Sequence, residues 1–275
     1  MAPKPACGDL LPLKSLRPSG SCWDESAKTN NHQEMGTALK QEGMPDNLNH
    51  YIFENYHFAV RYHLTNEDLV QLVKTFQTSD HSAGSVLGGR RSASRNRLKE
   101  IGPVVIKHYR RGGLLAYLVR RTYLGLGKRR CQVEFEQMDK VRRLGVLTPE
   151  PVAYAFRGRL FYQAWLITRE IEQHQSMADL SRSEPTRAAS ALVALCHQVS
   201  VLIENNILHA DFHPGNILVD DRDQVFLIDF DKSTIYKTTR QNLKEKYWRR
   251  WHRSVSKHGL PKMLSEIMRK HLLDE

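Results

Sequence analysis

The chain has 275 residues, enough for one two-lobed unit with a sizeable core. Hydrophobic residues make up 40%, and no apolar stretch reaches the roughly 18 to 20 residues of a transmembrane helix, which argues against a membrane-spanning protein. A formal net charge of +11 calls for a partner of opposite sign. Cys7, Cys22, Cys131 and Cys196 lack paired metal-ligand spacing, and the N-terminus lacks a charged-then-apolar leader pattern, so a reducing cytoplasm is expected.

Residues 1–43 are rich in Pro, Ser, Gly, Asn and Lys and have little periodicity, which predicts a disordered tail. Residues 51–62 suggest strand, and residues 66–76 (NEDLVQLVKTF) a short helix. Gly84, Gly88 and Gly89 follow in HSAGSVLGGRRSAS, where glycine lets backbone N–H groups approach phosphate. The segment has no G-x-G-x-x-G pattern and reads equally as a flexible linker. Its arginines, Arg90, Arg91 and Arg95, are able to pair with phosphates directly.

Next comes GPVVIKH, a strand ending in Lys107, the position of a phosphate-pairing lysine. Residues 130–144 form a helical pattern with an uneven apolar face, and Glu134 is the expected ion-pair partner of Lys107, with Glu136 the alternative. Two apolar runs around Arg157-Gly158-Arg159 predict a hairpin over residues 152–171. In a protein-kinase arrangement its end, Glu170 to Glu172, would be the hinge between lobes, where backbone groups would bind adenine, with the particular groups left open. Residues 183–205 repeat apolar residues at three- and four-residue spacing behind Pro185, a helix whose stripe is core.

The segment LHADFHPGNILVDDRDQVFLIDFD then places Asp211 and Asn216 five apart and Asp229 at the end of an apolar run. Ile217 to Val219 and Val225 to Ile228 read as two strands around a polar turn, a hairpin that returns Asp229 beside Asn216. This is the arrangement of a phosphoryl-transfer site in the protein-kinase fold. Asp211 would receive or orient the proton of the attacking hydroxyl, and Asn216 and Asp229 offer hard oxygens suited to Mg²⁺. His209 is expected to bond backbone near the later Asp; His213 braces the loop or touches substrate. The expected fold class is thus α+β. A small β-rich nucleotide-binding lobe would span residues 44–170, and a reduced helical catalytic lobe residues 171–275. No A-P-E segment follows Asp229, which disfavours a protein kinase.

Basic residues cluster twice. Arg110-Arg111, Arg120-Arg121 and Lys128-Arg129-Arg130 flank apolar patches. Near the C-terminus, Lys244, Lys246, Arg249, Arg250, Arg253 and Lys257 alternate with Tyr247, Trp248 and Trp251. Leu243, Tyr247, Trp251 and Val255 would align by fours on a helix. Such segments suit an anionic membrane surface, nucleic acid, or a packed helix with a solvated basic face. Their occurrence twice favours an anionic amphiphile.

The stretches KHYRRGGLLAYLVRRTYLGLGKRR, VEFEQMDKVRRLGVLTPEPVAYA, HADFHPGNILVDD and VFLIDFDKS resemble the 3-deoxy-D-manno-octulosonic acid (Kdo) kinases of lipopolysaccharide assembly, part of the lipopolysaccharide-kinase group of protein-kinase-like enzymes. The similarity covers residues 84–257. It implies ATP-dependent, Mg²⁺-dependent phosphorylation of a Kdo hydroxyl, at position 4, on Kdo-lipid A or its precursor. It also implies a peripheral place on the cytoplasmic face of the bacterial inner membrane, with no nucleic acid as partner. By motif, Asp211 is the expected base, Asn216 and Asp229 the metal ligands, and Lys107 and Glu134 the phosphate-side pair. Asp231 stands where D-F-G has glycine, a change the Kdo-kinase group shares. Phe212-His213-Pro214-Gly215 is closer to small-molecule phosphotransferases, which keeps a kinase for heptose or another small hydroxyl compound in view.

Overall fold

Residues 48–78, 93–109, 123–124, 127–159 and 161–274 are described by a computed structural model. The expected tail (residues 1–43), the glycines Gly84, Gly88 and Gly89 with Arg90 and Arg91, and the basic patch from Arg110 to Arg121 lie outside the described residues.

The first strand region is a hairpin, β1 (Asn49–Phe53) and β2 (Tyr56–Val60), rather than one strand. Its two-residue turn, Glu54-Asn55, has φ of 45° and 64°, the paired left-handed conformation of a tight hairpin turn. Helix α1 (Asn66–Thr78) follows, then β3 (Ala93–Leu98), β4 (Gly102–His108), the short β5 (Tyr123–Leu124), helix α2 (Arg130–Arg143), β6 (Pro151–Arg157) and β7 (Phe161–Arg169). The strands form one antiparallel sheet in the order β1-β2-β6-β7-β4-β3, with β5 on β7. The first hairpin therefore extends the sheet at the edge away from Lys107, and β3 alone flanks β4 on the other side among the described residues. Gly158 turns the β6–β7 hairpin at φ of 100°. A Cβ there would collide with the Phe161 carbonyl oxygen, so only glycine fits.

Strand alternation divides the sheet between two cores. Val104 and Ile106 face Leu69, Leu72 and Phe76 of α1, where Phe76 stacks on Trp165 at 4.5 Å. On the opposite face, Ala164 and Leu166 of β7 pack with Phe135, Met138 and Val141 of α2 in the larger core, which continues into the helical half.

That half contains β8 (Gln175–Ser176), α3 (Met177–Ser183), α4 (Pro185–Glu204), β9 (Ile207–Leu208), β10 (Ile217–Val219), β11 (Val225–Leu227), β12 (Thr234–Ile235), α5 (Arg240–Lys257) and α6 (Met263–Leu273). Contrary to the sequence-based expectation, α4 is long and apolar enough to cross a bilayer by length and composition. Its apolar stripe nevertheless packs in the core, with Ala188, Leu192, Leu195, Val199 and Leu202 fully buried. The aromatic stripe of α5 is likewise core: Leu243, Tyr247 and Trp251 are fully buried and Val255 nearly so. The packed-helix reading of this segment holds, and its basic residues lie on the polar face that meets solvent. The α+β class expected from the sequence is the observed one.

Candidate active site

Between the sheet and the helical half lies a cleft of about 1020 Å³. Lys107, Glu134, Asn216 and Asp229 all line it, although they come from separate parts of the chain. Lys107 and Val105 point into the cleft because they alternate with the buried Val104, Ile106 and His108. Lys107 Nζ donates to both Glu134 oxygens, at 2.9 and 2.8 Å, and to Asp229 Oδ1 at 2.8 Å. Burial disfavours the ammonium charge, but Glu134 and then Asp229 outweigh it and hold the Lys107 pKa above its ordinary value. Glu136, the alternative acid, turns away to Lys128 (2.7 Å) and Gln132 (3.0 Å).

Two further contacts fix α2. The Tyr109 hydroxyl donates to Glu134 Oε2, and burial followed by the Glu134 charge raises its pKa well above the usual phenol value. Arg130 forms a two-pronged ion pair with Asp231, through Nε at 2.8 Å and a second, shorter bond from its terminal nitrogen. An acid in place of the D-F-G glycine thus ties the segment after Asp229 to the start of α2.

The hairpin expected after Asn216 forms as β10 and β11, with Ile217 opposite Leu227. Asp220 closes its turn by accepting from the Arg222 and Gln224 amides at 3.0 and 2.8 Å. The Ile228 amide then donates to the Asn216 carbonyl at 3.0 Å, which sets Asp229 beside Asn216. Asp229 has φ of 68°, a conformation uncommon for a residue with a side chain and concentrated at functional sites. The Asn216 amide nitrogen donates to the Asp211 backbone oxygen at 2.9 Å and to Oδ2 at 3.1 Å. With the nitrogen committed to Asp211, oxygen is the atom the Asn216 amide offers a cation. An Asn oxygen and an Asp carboxylate facing one cleft suit Mg²⁺, which takes few protein ligands and completes its shell with water and phosphate oxygens.

Asp211 is not in the cleft lining itself but adjoins it through His213 and Asn216, which are, and its side chain is 60% exposed. The facing His213 imidazole, 3.7 Å away, and the Asn216 amide lower its carboxyl pKa to about 2 despite partial desolvation. His213 braces the loop: its Nδ1 accepts from the Gly215 amide at 3.0 Å, which leaves the proton on Nε2, the nitrogen facing Asp211. His209 is fully buried and donates from Nε2 to the Ile228 carbonyl at 3.0 Å. Burial lowers its pKa to about 4, so the ring is neutral at physiological pH.

Helix α5 supports the same loop from below. The Tyr247 hydroxyl donates to the Ile207 carbonyl and accepts from the His209 amide, both at 2.9 Å. Arg250 donates to the Ala210 carbonyl, and Phe212 wedges against Tyr247 and Trp251 with ring centroids 5.0 and 5.1 Å apart. None of these braces was named from sequence. The four-residue spacing of the aromatics was visible, but its target was not.

At the far end of the cleft, Ile171 represents the expected adenine-binding segment in the wall. Glu170 is drawn aside by Arg95, with Nε 2.5 Å from Oε1, and its amide donates to the Pro103 carbonyl at 3.0 Å. Glu172 is exposed. The Ile171 carbonyl meets His174 Nδ1 at 2.5 Å.

Residues 66–268 match the model of the "Lipopolysaccharide kinase (Kdo/WaaP) family". Several relatives bear the name 3-deoxy-D-manno-octulosonic acid kinase. The protein of Photobacterium profundum is 35% identical over 158 residues, 56% of this chain and 66% of the relative. That of Vibrio parahaemolyticus is 33% identical over 130 residues, 46% of this chain and 54% of the relative. That of Xanthomonas campestris pv. campestris (strain B100) is 32% identical over 163 residues, 57% and 63% of the two chains. The chain thus spans between 54% and 66% of the length of these curated relatives. With the family model covering most of its length, the chain belongs to the lipopolysaccharide kinase (Kdo/WaaP) family.

Proposed function

We propose that this chain is an ATP- and Mg²⁺-dependent kinase that phosphorylates a Kdo hydroxyl, at position 4, on Kdo-lipid A or a related lipopolysaccharide precursor. The observation that carries the reading is the convergence of Lys107, Glu134, Asn216 and Asp229 in one cleft, with Asp211 bonded to Asn216 beside it. Phosphoryl transfer asks mainly for positioning and charge neutralisation, and each residue has one of those tasks. Lys107, aimed by Glu134, would pair with the nucleotide phosphates. Asn216 and Asp229 would hold magnesium, which when bound neutralises phosphate charge. Asp211, kept ionised by its neighbours, would accept a hydrogen bond from the acceptor hydroxyl and align it with the phosphorus. Its low pKa suits late proton transfer, because the oxygen becomes acidic only as the new P–O bond forms.

The amphiphilic substrate supports a peripheral place on the cytoplasmic face of the inner membrane. The exposed Arg249, Arg253 and Lys257 of α5 would meet anionic headgroups there mainly by charge, since Tyr247 and Trp251 are buried and Trp248 is partly so. The deciding experiment is mass spectrometry of Kdo-lipid A incubated with purified protein, Mg²⁺ and ATP. A gain of one phosphate on the Kdo sugar is expected. No gain, from protein that still hydrolyses ATP, would overturn the Kdo assignment and direct attention to heptose or another small acceptor.

A further inference from the structure

The cleft roof is built from two rungs that cross three strands. In the first, Ala93 lies opposite Lys107 and Lys107 opposite Leu166. In the second, Arg95 lies opposite Val105 and Val105 opposite Thr168. All six side chains line the cleft. Two residues along a strand span roughly 7 Å, so the second rung is displaced by that distance from the lysine, toward the segment at Glu170. The first rung is the phosphate end, because Lys107 contacts Asp229 there. Leu218 and Ile228, apolar residues of the helical half, also line the cleft. The second rung's own members are apolar or small apart from Arg95.

Arg95 is the one charged member of the second rung. Its Nε lies 2.5 Å from Glu170 Oε1, and the Glu170 side chain is only 13% exposed, so the anchor is well shielded. The Arg95 side chain nevertheless stays 53% exposed while lining the cleft. The carboxylate fixes one edge of a planar, weakly hydrated cation and leaves the rest available to a ligand. At this end, away from Asn216 and Asp229, the part of a nucleotide that arrives is a flat aromatic base rather than a phosphate.

Resting on the kinase reading above, we infer that Arg95, held by Glu170, is a nucleotide-specificity residue that stacks on the purine and closes its slot against Leu218 and Ile228. Arg95 thus belongs to base recognition rather than to the direct phosphate pairing that its arginine-rich surroundings suggest. Cation–π stacking explains why arginine serves here: lysine carries the charge but not the plane.

The test is calorimetric binding of Mg·ADP and of Mg·tripolyphosphate, which lacks a base, to wild type, Arg95→Ala, Arg95→Lys and Glu170→Gln. Both Arg95 variants should weaken ADP binding by about tenfold and leave tripolyphosphate binding unchanged. Glu170→Gln should weaken ADP binding by less, about threefold, since the guanidinium remains but is less firmly placed. Equal losses for the two ligands would make Arg95 a phosphate contact and overturn the inference. Unchanged ADP affinity, with or without a fall in melting temperature, would reduce the pair to a structural brace and also overturn it. Wild-type protein that binds neither ligand would overturn the kinase reading itself, a result distinct from either failure of Arg95.

Discussion

The two halves of the catalytic cleft are held together by different forces. On the sheet side, charge does the positioning: Lys107 lies among Glu134 and Asp229, and Arg130 grips Asp231. On the helical side, mostly neutral groups do it: the His209 ring, the Phe212 wedge and the Tyr247 hydroxyl fix backbone, joined by one cation, Arg250, on the Ala210 carbonyl. A charge network is strong only when complete, because each member deleted leaves another buried ion uncompensated. A packed neutral frame tolerates change at the loop's exposed tip, where Asp211 sits. The lysine pair and the loop should therefore fail differently when mutated.

The largest expected effect is on turnover, at Asp211. Asp211→Ala should lower kcat by about 10³-fold and leave the melting temperature nearly unchanged. Its carboxylate is mostly exposed, and the Asn216 amide keeps its 2.9 Å bond to the Asp211 backbone oxygen. Retained turnover, in protein freed of contaminating kinases, would remove Asp211 from the chemistry.

Glu134→Ala should strike both activity and fold. It leaves Lys107 with Asp229 alone and strips the buried Tyr109 hydroxyl of its acceptor. Breaking such a pair costs about 3–5 kcal/mol, a melting-temperature loss of roughly 10 °C for a chain of this size. A stable Glu134→Ala protein would show that charge is not what holds the sheet side.

The neutral side has its own vulnerability, to acid. The His209 pKa is about 4 in the fold against 6.5 unfolded, so the unfolded chain binds a proton first as pH falls. Its contribution is complete above pH 6.5 and is lost between about 6.5 and 4, up to roughly 3 kcal/mol. The depressed Asp211 pKa acts in the same direction but only below its unfolded value of 3.8, so the two windows separate. Denaturant melts across pH 4 to 7 should slope accordingly, and His209→Gln should flatten that slope.

The sheet and helix pattern was largely legible, and so was the meeting of Lys107, Glu134, Asn216 and Asp229 in one cleft, with Asp211 bonded to Asn216. These residues sit on short stretches whose period and spacing carry their own meaning. What escaped the sequence was determined by pairing across distance. The Glu54-Asn55 turn had its asparagine signal, but which sheet edge the hairpin would join depended on strand order. Arg130 and Asp231 lie 101 residues apart, and Arg250 and Ala210 lie 40 apart. Nothing local marks such partners. The stripe on α5 showed the reverse problem. Its period was plain, but a buried aromatic face and a membrane-facing one have the same period, and only packing against Phe212 distinguishes them.

The smallest effect tests whether position on one helix decides a residue's importance. Glu134 and Glu136 are two residues apart on α2 and so point to different sides of it. Glu134 is 1% exposed against Lys107, whereas Glu136 is 25% exposed against a Lys128 that is itself 58% exposed. An ion pair in that second setting is screened by water and spends side-chain entropy to form, which leaves less than about 1 kcal/mol. Glu136→Ala should therefore shift the melting temperature by no more than a few degrees, and ATP turnover should stay at the wild-type rate. If Glu136→Ala instead matched the losses of Glu134→Ala, the two acids would be exchangeable partners of Lys107. The single fixed arrangement on the sheet side would then be one of two.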